Sequence, residues 1–330
     1  MIFKNKYGEI RSGWGLSLLG AAFIAVQFMV VMIVGVAALV MAAAEAPVSD
    51  TAEYQNRVAE MASRLEGSYG VQYFMLVMII GVVLLLFWLL YKRPLAQMGL
   101  DRKGWLKQLL FGCVFGIVSM GLVVAVLVLT KTASITHVDW SGVGHPGFIG
   151  GLVLFIFVGF NEELMSRGFM MTALKTTRLK WLIVVLPAVM FSVLHIPNFW
   201  VMQESVQAYV VGVALVNLML VGILFAFLFI KTGRLWAPIG YHITWNFFQG
   251  SVFGMAVSGG DGKVSIMNTV FAGPDWVTGG AFGAEGGVVC TLVILLGLIY
   301  VRFFMKKPGH VFWSMDSDMP LQRGVRGMRT

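Results

Sequence analysis

The sequence predicts an all-α, polytopic membrane bundle of about eight transmembrane helices with both ends on the cytoplasmic side, and three observations carry that prediction. Apolar residues make up 58% of the chain and charged residues only 12%, and the mean hydropathy is +0.83. A spanning helix needs roughly 20 predominantly apolar residues. Segments of that kind run at 14–44, 71–91, 106–130, 147–174, 180–199, 209–230, 235–257 and 287–304. With the N-terminus inside, 19 of the 24 lysines and arginines fall in cytoplasmic segments. Only Arg57, Arg64, Lys131 and Lys263 fall outside, and Arg167 alone is left within the membrane. Such a bias is the positive-inside pattern.

The first span follows a basic start and ends in the small residues Met41-Ala42-Ala43-Ala44. Its apolar stretch is about twice the length of a secretory h-region, so it reads as a retained signal anchor rather than a cleaved peptide. Residues 45–70 then form an outer amphipathic segment. Asp50 is placed to cap a helix with Glu53 at the third position, and Tyr54, Val58, Met61 and Leu65 make an apolar stripe. Packing against the spans is favoured there over a gating role. Residues 1–91 thus form a two-span addition, and the linker Arg93-Pro94-Leu95 to Gly99-Leu100 opens the core, residues 92–304. Within the core, the outer loop 258–286 is rich in glycine and expected to be turn-rich and mobile. A basic tail, 305–330, ends the chain, and no internal repeat is visible.

The net charge of +8 follows from this topology. Anionic membrane lipid is the natural partner of the basic tail. Nucleic acid is excluded as a partner, because no basic face interleaves with aromatic residues on a soluble domain. The two cysteines, Cys113 and Cys290, lie in apolar spans without a thiol-ligand pattern, which excludes a disulfide framework and a cysteine-rich zinc site.

Three polar signatures interrupt the apolar spans: Glu162-Glu163-Leu164-Met165-Ser166-Arg167, Phe191-Ser192-Val193-Leu194-His195 and His242-Ile243-Thr244-Trp245-Asn246. Ionisable groups in a span cost roughly 2.5–3.5 kcal/mol each on insertion scales, so they mark function by default. Glu163 and Arg167 are four apart, the favourable order for an ion pair, and read as a structural brace. Glu162 lies about 100° round the helix, with Ser166 as its four-residue neighbour, and is free to handle a proton or a water. Pro197, just after His195, predicts a helix end or kink there. His242 and Asn246 share one helical face. That pair suits an oxyanion, a metal ligand, or only interhelical hydrogen bonds of about 0.6 kcal/mol each.

In order and spacing, Glu-Glu-x-x-x-Arg, Phe-x-x-x-His and His-x-x-x-Asn resemble the CPBP family, which includes CAAX prenyl proteases and bacteriocin-processing (Abi-type) enzymes. The likeness spans roughly 90–300 and extends to the linker 93–100, to Thr232-Gly233-Arg234-Leu235-Trp236-Ala237-Pro238-Ile239 and to Gly273-Pro274-Asp275-Trp276. It implies an intramembrane endopeptidase in a multi-pass bacterial cell-membrane protein, acting on a membrane-associated peptide or protein. It implies further that Glu162 acts as general base on a water, assisted by His195, and that His242 and Asn246 stabilise the oxyanion while Glu163 and Arg167 brace the site. A metalloprotease reading of the same resemblance gives Glu162, His195 and His242 to a divalent ion, zinc first, although no His-Glu-x-x-His spacing is present.

Depth is a test of this site. At 1.5 Å per residue, Glu162 and His195 lie roughly 20 Å from Lys175 and Lys180, whereas His242 lies only about 12 Å from Arg234. The motifs meet only if the spans tilt or the turn at 231–235 dips into the membrane. Two other readings compete: a catalytically idle scaffold or immunity factor, and a proton-coupled transporter, which the lack of internal repeats weakens.

Overall fold

A computed structural model describes residues 2–5, 9–45, 50–202, 206–260 and 264–306. Most of the expected basic tail, with Lys6 and Lys263, lies outside the described residues. The helices are α1 (Ser12–Ala44), α2 (Thr51–Glu66), α3 (Tyr69–Tyr91), α4 (Trp105–Leu129), α5 (Pro146–Glu163), α6 (Thr172–Leu174), α7 (Lys180–Val193), α8 (Ile196–Met202), α9 (Ala208–Thr232), α10 (Trp236–Phe247), α11 (Asp275–Thr278) and α12 (Val288–Ile299). A π-helical stretch, Leu164–Met171, joins α5 to α6.

The molecule is an integral, helical membrane bundle. Among the described residues, six helices are long and apolar enough to cross a membrane: Ser12–Ala44, Tyr69–Tyr91, Trp105–Leu129, Pro146–Thr177, Lys180–Trp200 and Ala208–Thr232. The other two expected spans are shorter. The segment 235–257 is α10 followed by a π-helical stretch, Phe248–Val252. It stops there because Gly254 turns the chain at φ +68°, and a Cβ at that position would strike the Met267 carbonyl. The segment 287–304 is α12 extended by a π-helical Tyr300–Phe304.

The chain divides into two compact units, one over residues 1–91 and one from residue 92 onward. In the first, Asp50 caps α2 by accepting from the Ala52 N–H at 3.0 Å, while Glu53 lies 3.6 Å from Arg57. Met61 packs with Ala38 and Ala42 of α1, flanked by Tyr54, Val58 and Leu65. The amphipathic stripe of α2 is therefore spent on packing.

In the second unit, α4 and α10 lie in close contact because small residues face each other. A Cβ on Gly112 would strike the Ala237 carbonyl, and one on Gly116 would meet Tyr241 and Thr244. Without a hydrophobic drive between helices in lipid, this close approach is what makes dispersion contacts effective. Around it, Met120, Val124, Phe225, Tyr241, Trp245 and Ile294 form a buried cluster. The start of α10 is fastened by the linker: Leu235 N–H donates to Gly99 O at 3.0 Å and Trp236 Nε1 to Asp101 O at 2.8 Å. Leu235 is wholly buried and Lys231–Arg234 are half-buried, so this turn is embedded in protein.

One element departs from the all-α expectation. β1 (Ala133–Val138) pairs antiparallel with β2 (Met267–Phe271), from Ala133 opposite Phe271 to Val138 opposite Met267, with a bulge between Ile135 and His137. Six residues between two spans are too short a run for alternation to stand out. The outer loop is likewise more folded than its glycine content implies. Thr278, Phe282 and Ala284 are buried there, and Gly279, Gly280 and Gly283 adopt positive φ to allow the tight path.

Candidate active site

Glu162 and Glu163 close α5, just before the π-helical stretch. Wider π turns are found frequently at functional sites, and here the stretch is buried along its whole length. Glu163 and Arg167 form the expected ion pair, Nη1 to Oε1 at 3.0 Å, with side chains only 0% and 1% exposed. The guanidinium also donates from Nη2 to the Gly222 carbonyl at 2.9 Å. It stacks against two rings, 4.9 Å from the Phe191 centroid and 5.1 Å from that of Phe225. Two donors on separate nitrogens and contact with two aromatic rings are thus used in one buried place, which suits arginine and not lysine.

His242 completes the brace. Its Nδ1 lies 3.1 Å from the same Glu163 Oε1. A carboxylate that already accepts from arginine is an acceptor here, so Nδ1 carries the proton. Phe225 stacks on the imidazole at 5.2 Å and Phe191 meets it edge-on at 6.0 Å. The other nitrogen, Nε2, is directed toward Glu162, with Oε2 at 3.7 Å. Glu162 remains 26% exposed, the more open of the two carboxylates. The first and third motifs therefore meet, with His242 beside the end of α5.

His195 sits between helices. α7 ends at Val193 and α8 starts at Ile196, with Pro197 in its first turn. The ring lies 5.0 Å from Phe191, which also touches His242. Its Nδ1 is 2.8 Å from the Phe191 carbonyl oxygen. A carbonyl only accepts, so Nδ1–H donates and the neutral ring keeps its lone pair on Nε2. Among the described residues no hydrogen bond joins His195 to Glu162 or His242. Asn246 lies one turn beyond His242, 7% exposed, and its amide makes no hydrogen bond among the described residues. Its uncommitted amide is a ready donor, and the imidazole Nε2 becomes a second one only when it is protonated.

As arranged, Glu162, His195 and His242 do not form a zinc ligand set. Among the described residues no group of three or more His, Cys, Asp or Glu side chains converges to hold a metal ion. His242 has one nitrogen committed to Glu163, and the Phe191 ring lies against both His195 and His242.

Sequence reasoning missed Glu285. It lies in the loop just before α12, 8% exposed, and accepts from Trp245 Nε1 at 3.1 Å and from Ser258 N–H and Oγ at 2.9 and 2.8 Å. A lone acid flanked by Gly283-Ala284 and Gly286-Gly287 reads as a solvated outer turn. Its closeness to an apolar span is the one signal that could have raised it.

Residues 145–248 match the family model described as Type II CAAX prenyl endopeptidase Rce1-like, a match that holds all three polar signatures. No curated protein and no solved structure matches the chain.

Proposed function

We propose, for a chain whose residues 145–248 ally it with the CPBP family of intramembrane proteases, that it hydrolyses a peptide bond of a membrane-associated substrate by glutamate-activated water. The proposed setting is a bacterial cell membrane. The observation that carries the proposal is the division of labour between adjacent carboxylates. Glu163 gives its Oε1 to Arg167 and His242 and is fully buried, while Glu162 makes no ion pair with Arg167 and is the more exposed of the two.

In the proposed reaction Glu162 takes a proton from water, and the oxygen lone pair attacks the carbonyl carbon. The C=O electrons move onto oxygen as the tetrahedral intermediate forms. Asn246 Nδ2 and His242 Nε2, when protonated, donate to that oxyanion; one such donor is commonly worth about 10²–10³ in rate. Collapse breaks the C–N bond, and protonated Glu162 returns its proton to the leaving amine. The His195 Nε2 lone pair helps hold the water. The chain's own residues supply every step, and no acyl-enzyme forms.

The test is cleavage of a quenched, membrane-anchored peptide library by purified protein, wild type beside Asn246→Ala and His195→Ala. Cleavage that falls at least about 100-fold in both variants supports the reading. Cleavage unchanged in both would contradict this assignment of the site, and no cleavage by wild type on any library member would favour an idle scaffold.

A further inference from the structure

The buried Glu285 lies outside the three signatures, yet it contacts one of them and, through Ser258, the turn that follows another. Its Oε1 holds Trp245, the residue next to Asn246 on α10. Its Oε2 holds both the N–H and the hydroxyl of Ser258. Ser258 in turn offers its carbonyl to Asn198 Nδ2 at 3.0 Å, three residues after His195. Phe199 of α8 stacks on Phe282 of the same loop at 4.5 Å. A single carboxylate therefore sits on the path between the His195 turn and the helix of His242 and Asn246.

Several features show a built arrangement. Three donors converge on the carboxylate, which gives charge-assisted hydrogen bonds of about twice the ordinary strength. Ser258 takes φ +49°, an uncommon conformation for a residue with a Cβ, and aims its N–H and Oγ at the same oxygen. The backbone around Glu285 is pinned as well: Asn217 Nδ2 of α9 donates to Glu285 O at 2.7 Å and to Gly287 O at 3.0 Å. Thr291 Oγ1 donates to Asn217 Oδ1 at 2.6 Å. His195 is held locally by the Phe191 carbonyl and ring and makes no hydrogen bond to Glu162, His242 or Asn246 among the described residues, so the Ser258–Asn198 chain is a second fastening of the turn that carries it.

We infer that Glu285 is a positioning residue: through Trp245 on one side and Ser258–Asn198 on the other, it fixes His195 relative to His242 and Asn246. The inference rests on the protease reading only for its effect on rate. Misplacement of a catalytic group by about 1 Å costs on the order of 100-fold in rate. Removing the clamp therefore lowers kcat by about 10- to 100-fold with KM changed by less than about threefold, because no substrate contact is lost.

The experiment compares full-length wild type with Glu285→Ala, Glu285→Gln, Ser258→Ala and Trp245→Phe, by amide hydrogen exchange and by peptide cleavage. Exchange is expected to rise together in 194–200 and 242–249 in Glu285→Ala, and to rise less in Glu285→Gln, which keeps an acceptor for Trp245 and regains part of kcat. Trp245→Phe in the Glu285→Ala background adds nothing further if the two act as a unit. Exchange that rises only within 258–286, or additive losses, would overturn the inference. A wild type that cleaves nothing would count against the protease reading, while the exchange pattern would still decide the clamp.

Discussion

Glu163 and His242 come from separate helices and meet at 3.1 Å, Oε1 to Nδ1, and that contact fixes the orientation of the imidazole. With Nδ1 held, Nε2 has one direction left, and Glu162 stands in it at 3.7 Å. The same Glu163 oxygen also receives Arg167, so brace and site share one atom.

Sharing one atom makes the brace unforgiving. Arg167→Ala leaves Glu163 as a buried charge facing only an imidazole. Breaking one side of such a pair costs about 3–5 kcal/mol. The expected outcome is loss of the folded protein in detergent, read as a drop in thermal midpoint or failure in size exclusion. Arg167→Lys rescues little, because one ammonium cannot bond both Glu163 and Gly222 and lie flat between Phe191 and Phe225.

The α4–α10 contact predicts steric intolerance at particular glycines. Gly116→Leu forces a side chain into Tyr241 and Thr244, which lie one residue before and two after His242. Overpacking of this kind costs about 1–3 kcal/mol or more. Gly121→Leu, on the same helix with open space where its Cβ would stand, is expected to be neutral. Thermal midpoints of the two variants check the contrast.

The linker clasp carries a pH signature. Hydrogen bonds from the Lys103 N–H and the Arg234 side chain hold the Asp101 carboxyl below its ordinary value. A depressed carboxyl stabilises the fold above its unfolded pKa, near about 4, and loses that contribution as pH falls through the folded value. Asp101 is about half exposed, so the effect is at most about 1 kcal/mol. Asp101→Asn is expected to lower the thermal midpoint slightly at pH 7, with the difference from wild type shrinking below about pH 4. A difference that persisted or grew in acid would contradict the assignment.

Metal dependence can be read directly. With Glu162, His195 and His242 not converged as ligands, chelation by phenanthroline is expected to change cleavage by less than about twofold. Loss of activity restored by added zinc would contradict that expectation.

Much of this arrangement is legible in the sequence, for a physical reason. Glu162, Glu163, Arg167, His195, His242 and Asn246 stand out because polar groups inside apolar spans are expensive. The i,i+4 spacing of Glu163 and Arg167 gives their ion pair directly. Hydropathy cannot show the rest. The π-helical stretches after Glu163 and Phe247 differ from α-helix by one residue per turn and leave no separate mark on an apolar run. α10 stops early because of a backbone turn at Gly254, whereas apolar residues continue past it. Glu285 is hidden for the opposite reason to Glu162: a single acid among glycines looks like a wet turn, and only the tertiary contacts with Trp245 and Ser258 show it to be enclosed.

Chemical rescue tests the central claim most directly. Glu162→Ala removes the proposed base and leaves room for a small carboxylate at a position that is part exposed in the folded protein. Cleavage is expected to fall by at least about 100-fold in Glu162→Ala and to be restored at least about tenfold by added formate, with no such restoration in Glu163→Ala. Wild-type cleavage by Glu162→Ala without formate would contradict the claim.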